Sequence, residues 1–323
     1  MLSELAFSAD DLALTRLAIS PMWEVVSSFR LLIAGSSHPV HRSWLEQVRP
    51  RVAAAGLDDG WLARLIPAQG YLADFLTPPP VEPTPDLETE LAVIRATPAE
   101  YVRRDVDHFA ADDPRRAALR ADPEDRLAQV CAEIETYWEL ALAPYWARIR
   151  AVLDADVFHR ARQVAERGTG HLFNDLHATL RWDDNTLRLV RRHCAVSREA
   201  AGPGLVLVPS VFAEHVLTWS RPPEPPQLAY PARGIGTLWE RRPVRHADAI
   251  AAVLGRSRTL LLVELAAPAS TTELARRTGM SAAGVSQHLT ALRDAGMVSS
   301  HRAGRSVLYA RTAIAESLLD TAA

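Results

Sequence analysis

The stretch that decides the fold of the C-terminal part of the chain is Ser270-Thr-Thr-Glu-Leu-Ala-Arg-Arg-Thr-Gly-Met-Ser-Ala-Ala-Gly-Val-Ser-Gln-His-Leu-Thr-Ala-Leu-Arg-Asp-Ala-Gly296. It begins with Ser270-Thr-Thr-Glu273, which has the spacing of a capping box and predicts the start of a short helix. Gly279 stands where a residue of positive φ would end that helix. Ser281 can then cap a second helix. Two helices joined by a short turn that contains glycine indicate a helix-turn-helix.

The second predicted helix has two distinct sides. Val285, Leu289 and Leu292 fall at i, i+4 and i+7, the spacing of a stripe that packs on the preceding helices. The other side, which we call the recognition face, is made of Ala283, Ser286, Gln287, Thr290 and Arg293. Small side chains would let this face approach base edges in the major groove, where glutamine can pair with adenine and serine with several bases. The pattern therefore predicts a DNA-recognition helix.

A strand, a tight turn and a second strand are predicted after Gly296. The strands are Met297–Arg302 and Ser306–Arg311, and Arg302 and Arg305 bracket Gly304 at the turn. A cationic hairpin beside a recognition helix is typical of a winged helix. We expect its arginines to contact phosphates or the minor groove, which adds affinity more than sequence choice.

This order of motifs resembles the ArsR-type winged-helix transcriptional regulators. The matching motifs are Thr272-Glu-Leu-Ala275, Ser281-x-x-x-Val-Ser-Gln-His-Leu289, Leu292-Arg-Asp-Ala-Gly-Met-Val298 and Gly304-Arg-x-x-x-Tyr309. The resemblance implies a homodimer that binds an inverted-repeat operator on double-stranded DNA, commonly as a repressor that an effector releases. It also implies that Ser286, Gln287 and His288 approach the DNA.

The candidate DNA-binding residues come from the capping position, the second helix and the wing. They are Ser281, Ala283, Ser286, Gln287, His288, Thr290, Arg293, Arg302 and Arg305. Two alternatives stay open at this point. His288 shares the angular sector of Val285 and Leu292, which is equally compatible with a half-buried structural role. Arg276 and Arg277 are either both solvated charges, or one of them contacts a phosphate.

The chain departs from the metal-sensing members of this family. Those proteins carry paired thiols in the first helix of the helix-turn-helix, whereas Glu273-Leu-Ala-Arg-Arg277 has none. The two cysteines, Cys131 and Cys194, both precede the C-terminal domain. We therefore expect no thiolate metal site and no cofactor.

The fold class predicted for the whole chain is α+β and mainly helical. Residues 1–240 are predicted to form a helical domain with a small antiparallel sheet that senses an effector or assembles the oligomer, and residues 245–323 the winged helix-turn-helix. Leu180-Arg-Trp182 and Leu187-Arg-Leu189 flank Asp183-Asp-Asn185, which predicts a hairpin. Short strands are also expected near residues 205, 216 and 227, and Ser8-Ala-Asp-Asp11 predicts a helix start.

Composition and charge agree with this division. The chain has 323 residues, of which 48% are hydrophobic and 23% charged, as in globular proteins. All 36 basic residues are arginines. Nine lie from Arg245 onwards against six acids, a net charge of +3, which leaves 27 against 33 and a net charge of −6 before it. A basic tail favours a polyanionic partner.

The low cysteine content and the lack of a signal peptide or membrane span predict a reduced, cytoplasmic protein.

No other motif predicts a specific chemistry. His38-Pro-Val-His41 and His171-x-x-x-Asp-x-His177 lack the spacing of known metal sites, and His193-Cys194 are chain neighbours rather than a nucleophile and its base. Phosphate-binding glycine patterns are missing, so we expect no enzymatic activity. Two alternatives remain: an enzymatic N-terminal domain that the winged helix regulates, and a winged helix that serves protein contacts.

Overall fold

The computed structural model describes residues 2–35, 38–109, 113–190, 197–198, 202, 204–219, 221, 224–239, 247–303 and 306–320. The described residues are mainly helical with three small sheets, which confirms the predicted α+β class. It divides into two compact units. The first contains Met1–Ser36, Asp58–Ile134 and Val152–Ile235, and the second contains Ser37–Leu57, Glu135–Ala151 and Gly236–Ala323.

The helices and strands of the described residues are as follows. The helices are α1 Ala9–Ala13, α2 Pro21–Ile33, α3 Arg42–Ala54, α4 Trp61–Leu65, α5 Leu87–Arg95, α6 Ala99–Asp107, α7 Pro114–Ala121, α8 Pro123–Ala141, α9 Trp146–Arg167, α10 Thr169–Leu176, α11 Ala247–Leu254, α12 Arg256–Glu264, α13 Thr271–Thr278, α14 Ala282–Asp294 and α15 Ala313–Asp320. The strands are β1 Leu2–Ala6, β2 Arg16–Leu17, β3 Leu180–Asp183, β4 Thr186–Val190, β5 Ser197–Arg198, β6 Val206–Ser210, β7 Leu217–Trp219, β8 Gln227–Pro231, β9 Ala269–Ser270, β10 Val298–Ala303 and β11 Ser306–Arg311.

The first unit contains two four-stranded sheets. One has the order β3-β4-β1-β5, and the other has the order β2-β6-β8-β7. The second sheet mixes parallel pairs (β2 with β6, β6 with β8) with the antiparallel pair β7–β8. Strands β6, β7 and β8 lie where the sequence placed short strands. The parallel pairing and the N-terminal strands β1 and β2 were not anticipated.

The predicted hairpin is present as β3 and β4. Asp184 and Asn185 connect the strands, and both have positive φ (49° and 55°). Two central residues with positive φ make the turn twist with the flanking strands, and aspartate and asparagine tolerate this conformation better than most residues. The turn therefore fixes the register in which Trp182 lies opposite Leu187.

Helix starts in the first unit follow the sequence closely. At α1 the capping box is complete, because Ser8 Oγ accepts the Asp11 N–H (3.1 Å) and the Asp11 carboxylate accepts the Ser8 N–H (3.1 Å). Pro21 lies outside α1, which ends at Ala13. It is the first residue of α2, where its missing N–H would have no helical partner anyway.

The second unit contains the predicted helix-turn-helix and wing. Helices α11 to α15 surround one apolar core, and β10 pairs with β11, which also pairs with the short strand β9. The stripe Val285, Leu289 and Leu292 is buried in this core as predicted. Helices α11 and α12 are separate because Gly255, which lies between them, takes a φ of 86°.

An aromatic cluster joins α3 and residues 143–145 within the second unit. Trp44 donates to the carbonyl of Ala141 (2.9 Å), and the Trp239 ring lies 6.4 Å from that of Trp44 and 5.4 Å from that of Tyr145. The sequence did not anticipate that residues 37–57 and 135–151 group with the C-terminal region. The predicted domain boundary at 240–245 lies outside the described residues, so this division stays a prediction.

No helix among the described residues has the length and apolar character required to cross a membrane.

Candidate nucleic-acid interface

The turn between α13 and α14 is fixed by local hydrogen bonds. Ser270 Oγ accepts the Glu273 N–H (3.3 Å) at the start of α13, and Gly279 ends that helix in the left-handed conformation (φ 72°). Ser281 Oγ then accepts the Gly284 N–H (3.1 Å) and caps α14. These contacts satisfy backbone groups that a helix end leaves unpaired. They set the direction in which α14 leaves the turn.

Only half of the predicted capping box at Ser270 forms. The Glu273 carboxylate pairs with the Arg277 guanidinium one helical turn further on, instead of accepting the backbone N–H of Ser270. The Arg277 guanidinium also donates to the carbonyl of Glu264 (3.4 Å). Arg277 is thereby held as a structural residue between α12 and α13.

The recognition face points to solvent. All five of its residues, Ala283, Ser286, Gln287, Thr290 and Arg293, are exposed. With 13 residues at about 1.5 Å each, α14 is roughly 20 Å long, which suits one passage through a major groove ~12 Å wide. The side opposite this face carries the buried stripe, so α14 is anchored by apolar packing while its polar side stays open.

Individual side chains on the recognition face differ in what they offer. Gln287 makes no side-chain hydrogen bond to any residue in the described part of the chain. The Thr290 hydroxyl donates to the carbonyl of Ser286 (3.0 Å), so it is turned back onto the helix. Arg293 lies near Asp294, with 3.6 Å between Nη2 and Oδ1. Ser281, which was predicted to contact DNA, is exposed but uses its hydroxyl as the helix cap.

His288 occupies an intermediate position. It lies beside the buried stripe and is half-buried, whereas its neighbour Gln287 is exposed. His288 therefore lies at the border between the buried stripe and the recognition face.

The wing is formed by β10 and β11, in antiparallel register with Arg302 opposite Val307. Arg302 is exposed on β10. Gly304 and Arg305, which were predicted to form the tip of the wing, lie outside the described residues. The base of the wing is tied to α8, because His301 Nδ1 lies 3.0 Å from Glu139 Oε2 and His301 Nε2 lies 2.8 Å from Ser299 Oγ.

Arg311 is the supporting residue that sequence reasoning missed. Its buried guanidinium donates from Nε to the Leu262 carbonyl (2.6 Å) and from Nη2 to the Val263 carbonyl (2.8 Å), at the end of α12. Glu316 accepts from Arg311 Nη1 (3.2 Å) and from Arg148 Nε (2.9 Å). The signal in the sequence was an arginine that closes an otherwise apolar strand five residues before a glutamate.

A comparison with known protein families identifies the C-terminal part of this architecture. Residues 255–300 match the family model described as bacterial regulatory protein, arsR family. The C-terminal part of the chain carries an ArsR-family regulatory domain. This finding confirms the resemblance that the motifs indicated, with a long region preceding the domain. A comparison with the curated proteins and one with the solved structures gave no significant match.

The matched residues cover the helix-turn-helix and the first three residues of β10, the first strand of the wing. We use the name ArsR domain for described residues 247–303 and 306–320. No group of three or more histidine, cysteine, aspartate or glutamate side chains in the described ranges is arranged to hold a metal ion.

The histidine pairs that the sequence singled out have structural partners. The His38 and His41 rings contact each other in a tilted arrangement with centroids 4.8 Å apart, and His41 Nδ1 accepts from Trp239 Nε1 (3.0 Å). His177 Nδ1 lies 2.8 Å from Thr179 Oγ1. Asp175 accepts from the buried Arg160 guanidinium (2.7 Å). The pair His193-Cys194 lies outside the described residues.

Proposed function

We propose that this protein is a DNA-binding transcriptional regulator that acts as a homodimeric repressor. The observation that carries the proposal is the open recognition face of α14 in an ArsR domain, with the exposed Arg302 on the neighbouring wing strand. A buried apolar stripe holds the helix, and the polar face has the side-chain types that read base edges. The ArsR match supports the assignment to DNA-binding transcriptional regulators. Dimerisation, repression and control by an effector are further parts of the proposal.

Symmetry supports the homodimer. Regulators of this type read two half-sites about one helical turn apart, and a two-fold protein matches such a palindrome. The ArsR domain exposes large apolar side chains on three helices: Val253 on α11 is 83% exposed, Ile314 on α15 is 61% and Leu260 on α12 is 41%. Burial of such groups against a second copy would stabilise a dimer. We assign the region that precedes the ArsR domain to effector sensing or assembly.

We propose no enzymatic activity for the N-terminal region. An enzymatic N-terminal region would need acidic side chains that have shifted pKa values and are accessible to a substrate. Burial raises the pKa of Asp74 to about 7, and it also raises the pKa of Asp105. However, the Asp105 carboxylate accepts the backbone N–H of Phe75 (2.8 Å), a contact that holds the chain rather than a substrate. Burial, and for Asp74 also the neighbouring charge of Asp105, raises these pKa values.

A gel-shift titration of the full chain on the DNA upstream of its own gene tests the proposal. We expect a retarded complex that survives excess unrelated DNA and weakens steeply with salt, because phosphate contacts release counterions. Gln287→Ala and Arg302→Ala should each weaken it. Binding without any sequence preference, or no binding at low salt, would contradict the assignment.

Oligomeric state and the direction of regulation need separate measurements. Native mass spectrometry of the full chain should show a dimer, and the variant Val253→Glu with Ile314→Glu should shift it towards monomer. A promoter fused to a reporter should give lower expression when the protein is present, and an increase would identify an activator instead.

A further inference from the structure

Three residues of the recognition face form a row along α14. Ala283, Gln287 and Thr290 lie at i, i+4 and i+7, so they follow one another on the same side of the helix. All three are exposed. We call them the reading row. In a groove, this row would offer successive base pairs a methyl group, then an amide, then the side chain of a threonine.

The threonine in this row offers a methyl group rather than a hydroxyl proton. Thr290 Oγ1 donates to the carbonyl of Ser286 at 3.0 Å. A hydrogen bond from this hydroxyl to a base would have to break that contact, whereas a contact through the Cγ2 methyl leaves it intact. Methyl groups of alanine and threonine pack against the 5-methyl group of thymine.

The amide in this row matches adenine. Gln287 has no side-chain hydrogen bond to the described residues, so both its donor and its acceptor are available. Adenine offers the N6 amino donor and the N7 acceptor in the major groove, and a glutamine amide can satisfy both at once. Guanine offers only acceptors there, which favour arginine or lysine, and the reading row contains neither.

We propose that the reading row selects A·T base pairs in each operator half-site. Gln287 binds adenine through N6 and N7, and Ala283 and Thr290 pack against thymine methyl groups. This inference rests on the proposed function, since it requires α14 to lie in a major groove. Arg293 at the far end of α14 and Arg302 on the wing are left for the sugar-phosphate backbone.

The first test selects preferred sites from a random double-stranded DNA library with the full wild-type chain. We expect an adenine in each half-site at which 7-deazaadenine, which lacks N7, lowers affinity by about fivefold or more. At neighbouring thymines, replacement by uracil removes the 5-methyl group and should lower affinity about three- to fourfold. These modified-base measurements need no protein variant, so they do not depend on a variant folding.

Variants then assign each base to a residue. In Gln287→Ala the site should bind about 5- to 150-fold more weakly, and 7-deazaadenine should cause no further loss because the contact is already gone. In Thr290→Ser, which keeps the hydroxyl and removes the methyl group, one of the uracil effects should disappear. Gln287→Arg should change the selected base from adenine to guanine.

Three outcomes would overturn the inference, and they differ in whether DNA recognition itself still stands. Selection of G·C pairs at these positions, or a 7-deazaadenine effect that persists in Gln287→Ala, would show that the row does not read A·T pairs while DNA recognition stands. Recovery of no preferred sequence at all would remove the proposed function and this inference together.

Discussion

The guanidinium of Arg311 lies at the end of α12, with 2.6 Å between its Nε and the carbonyl oxygen of Leu262. Arg311 Nη2 also donates to the carbonyl of Val263, which accepts the Ala266 N–H (3.1 Å) as well, and Arg277 Nη1 donates to the carbonyl of Glu264 (3.4 Å). The carbonyls of Leu262 and Glu264 thereby gain partners at the helix C-terminus, where carbonyls lack intrahelical donors. Two arginines from different elements thus replace the usual glycine cap. Because Arg311 closes β11, this contact also ties the wing to the helices behind the recognition helix.

Removal of the Arg311 side chain should destabilise the ArsR domain. Arg311→Ala leaves the Leu262 carbonyl without its arginine donor and takes one partner from Glu316, so we expect a loss of about 2–4 kcal/mol in the free energy of unfolding. Chemical denaturation followed by circular dichroism measures it. Arg256→Ala, at an exposed position on α12, the helix that Arg311 caps, is the matched control and should change stability by less than about 0.5 kcal/mol. Equal effects of the two variants would contradict the capping role.

Gly279 is required for its conformation and not for its size. It has a φ of 72°, and a Cβ atom built on it would meet nothing within 4 Å. Gly279→Ala should therefore lower the free energy of unfolding by about 1–2 kcal/mol, the cost of a left-handed conformation for alanine. Gly279→Asn should lower it less, because asparagine tolerates this conformation better. Gly236 also has open space around it but no positive φ, so Gly236→Ala should be neutral or slightly stabilising. A comparably large loss at Gly236 would show that the loss at Gly279 does not come from its positive φ.

The helix-turn-helix could be read from the sequence because its signals are local. Ser270, Gly279 and Ser281 each act on backbone groups within four residues, and the stripe at Val285 needs only the period of a helix. The fold class and the ArsR resemblance were confirmed for the same reason. The open side of α14 follows from that period, because a stripe buried on one side leaves the other side exposed.

The features that the sequence did not reveal depend on distant partners. Strand β1 exists because Leu5 lies opposite Leu187, and β2 because Arg16 pairs with Val206. No local pattern indicates such pairs. The cap that Arg311 provides for α12 has the same origin, since Leu262 lies 49 positions away in sequence.

Arg276 and Arg277 are neighbours with different surroundings, and the structure now separates them. Arg277 pairs with Glu273 and the Glu264 carbonyl, whereas Arg276 is exposed and makes no ion pair with the described residues. We predict that Arg276 contacts a phosphate. Arg276→Ala should reduce the slope of log affinity against log salt by about 1, uniformly across DNA sequences.

The second arginine provides the internal control for that experiment. Arg277→Ala should lower the melting temperature of the ArsR domain and leave the salt slope close to the wild-type value. The reverse pattern, a reduced slope in Arg277→Ala with an unchanged slope in Arg276→Ala, would exchange the two roles.

Glu24 places a carboxyl group inside the core of the first unit. It lies on α2 with no exposed surface, and its Oε1 accepts the Val211 N–H at 3.0 Å. Burial raises the pKa of Glu24 from 4.5 to about 8, against the smaller opposite effect of its hydrogen bonds. Glu90, whose carboxylate accepts from Ser20 Oγ (2.6 Å) and the Met22 N–H (2.8 Å), has its pKa raised to about 8 by burial as well.

These two groups give the stability of the first unit a defined pH dependence. Between pH 4.5 and about 8 the folded state keeps a proton that the unfolded state has released, so stability should fall as pH rises through this window and level off above it. Each carboxyl contributes a slope of up to about 1.4 kcal/mol per pH unit. Glu24→Gln should remove the contribution of Glu24 to this pH dependence, which urea unfolding at pH 5, 6, 7 and 8 would measure. Glu88→Gln, at an exposed position on α5, is the control. A Glu24→Gln profile parallel to that of the wild type would show that Glu24 is ionised in the folded protein.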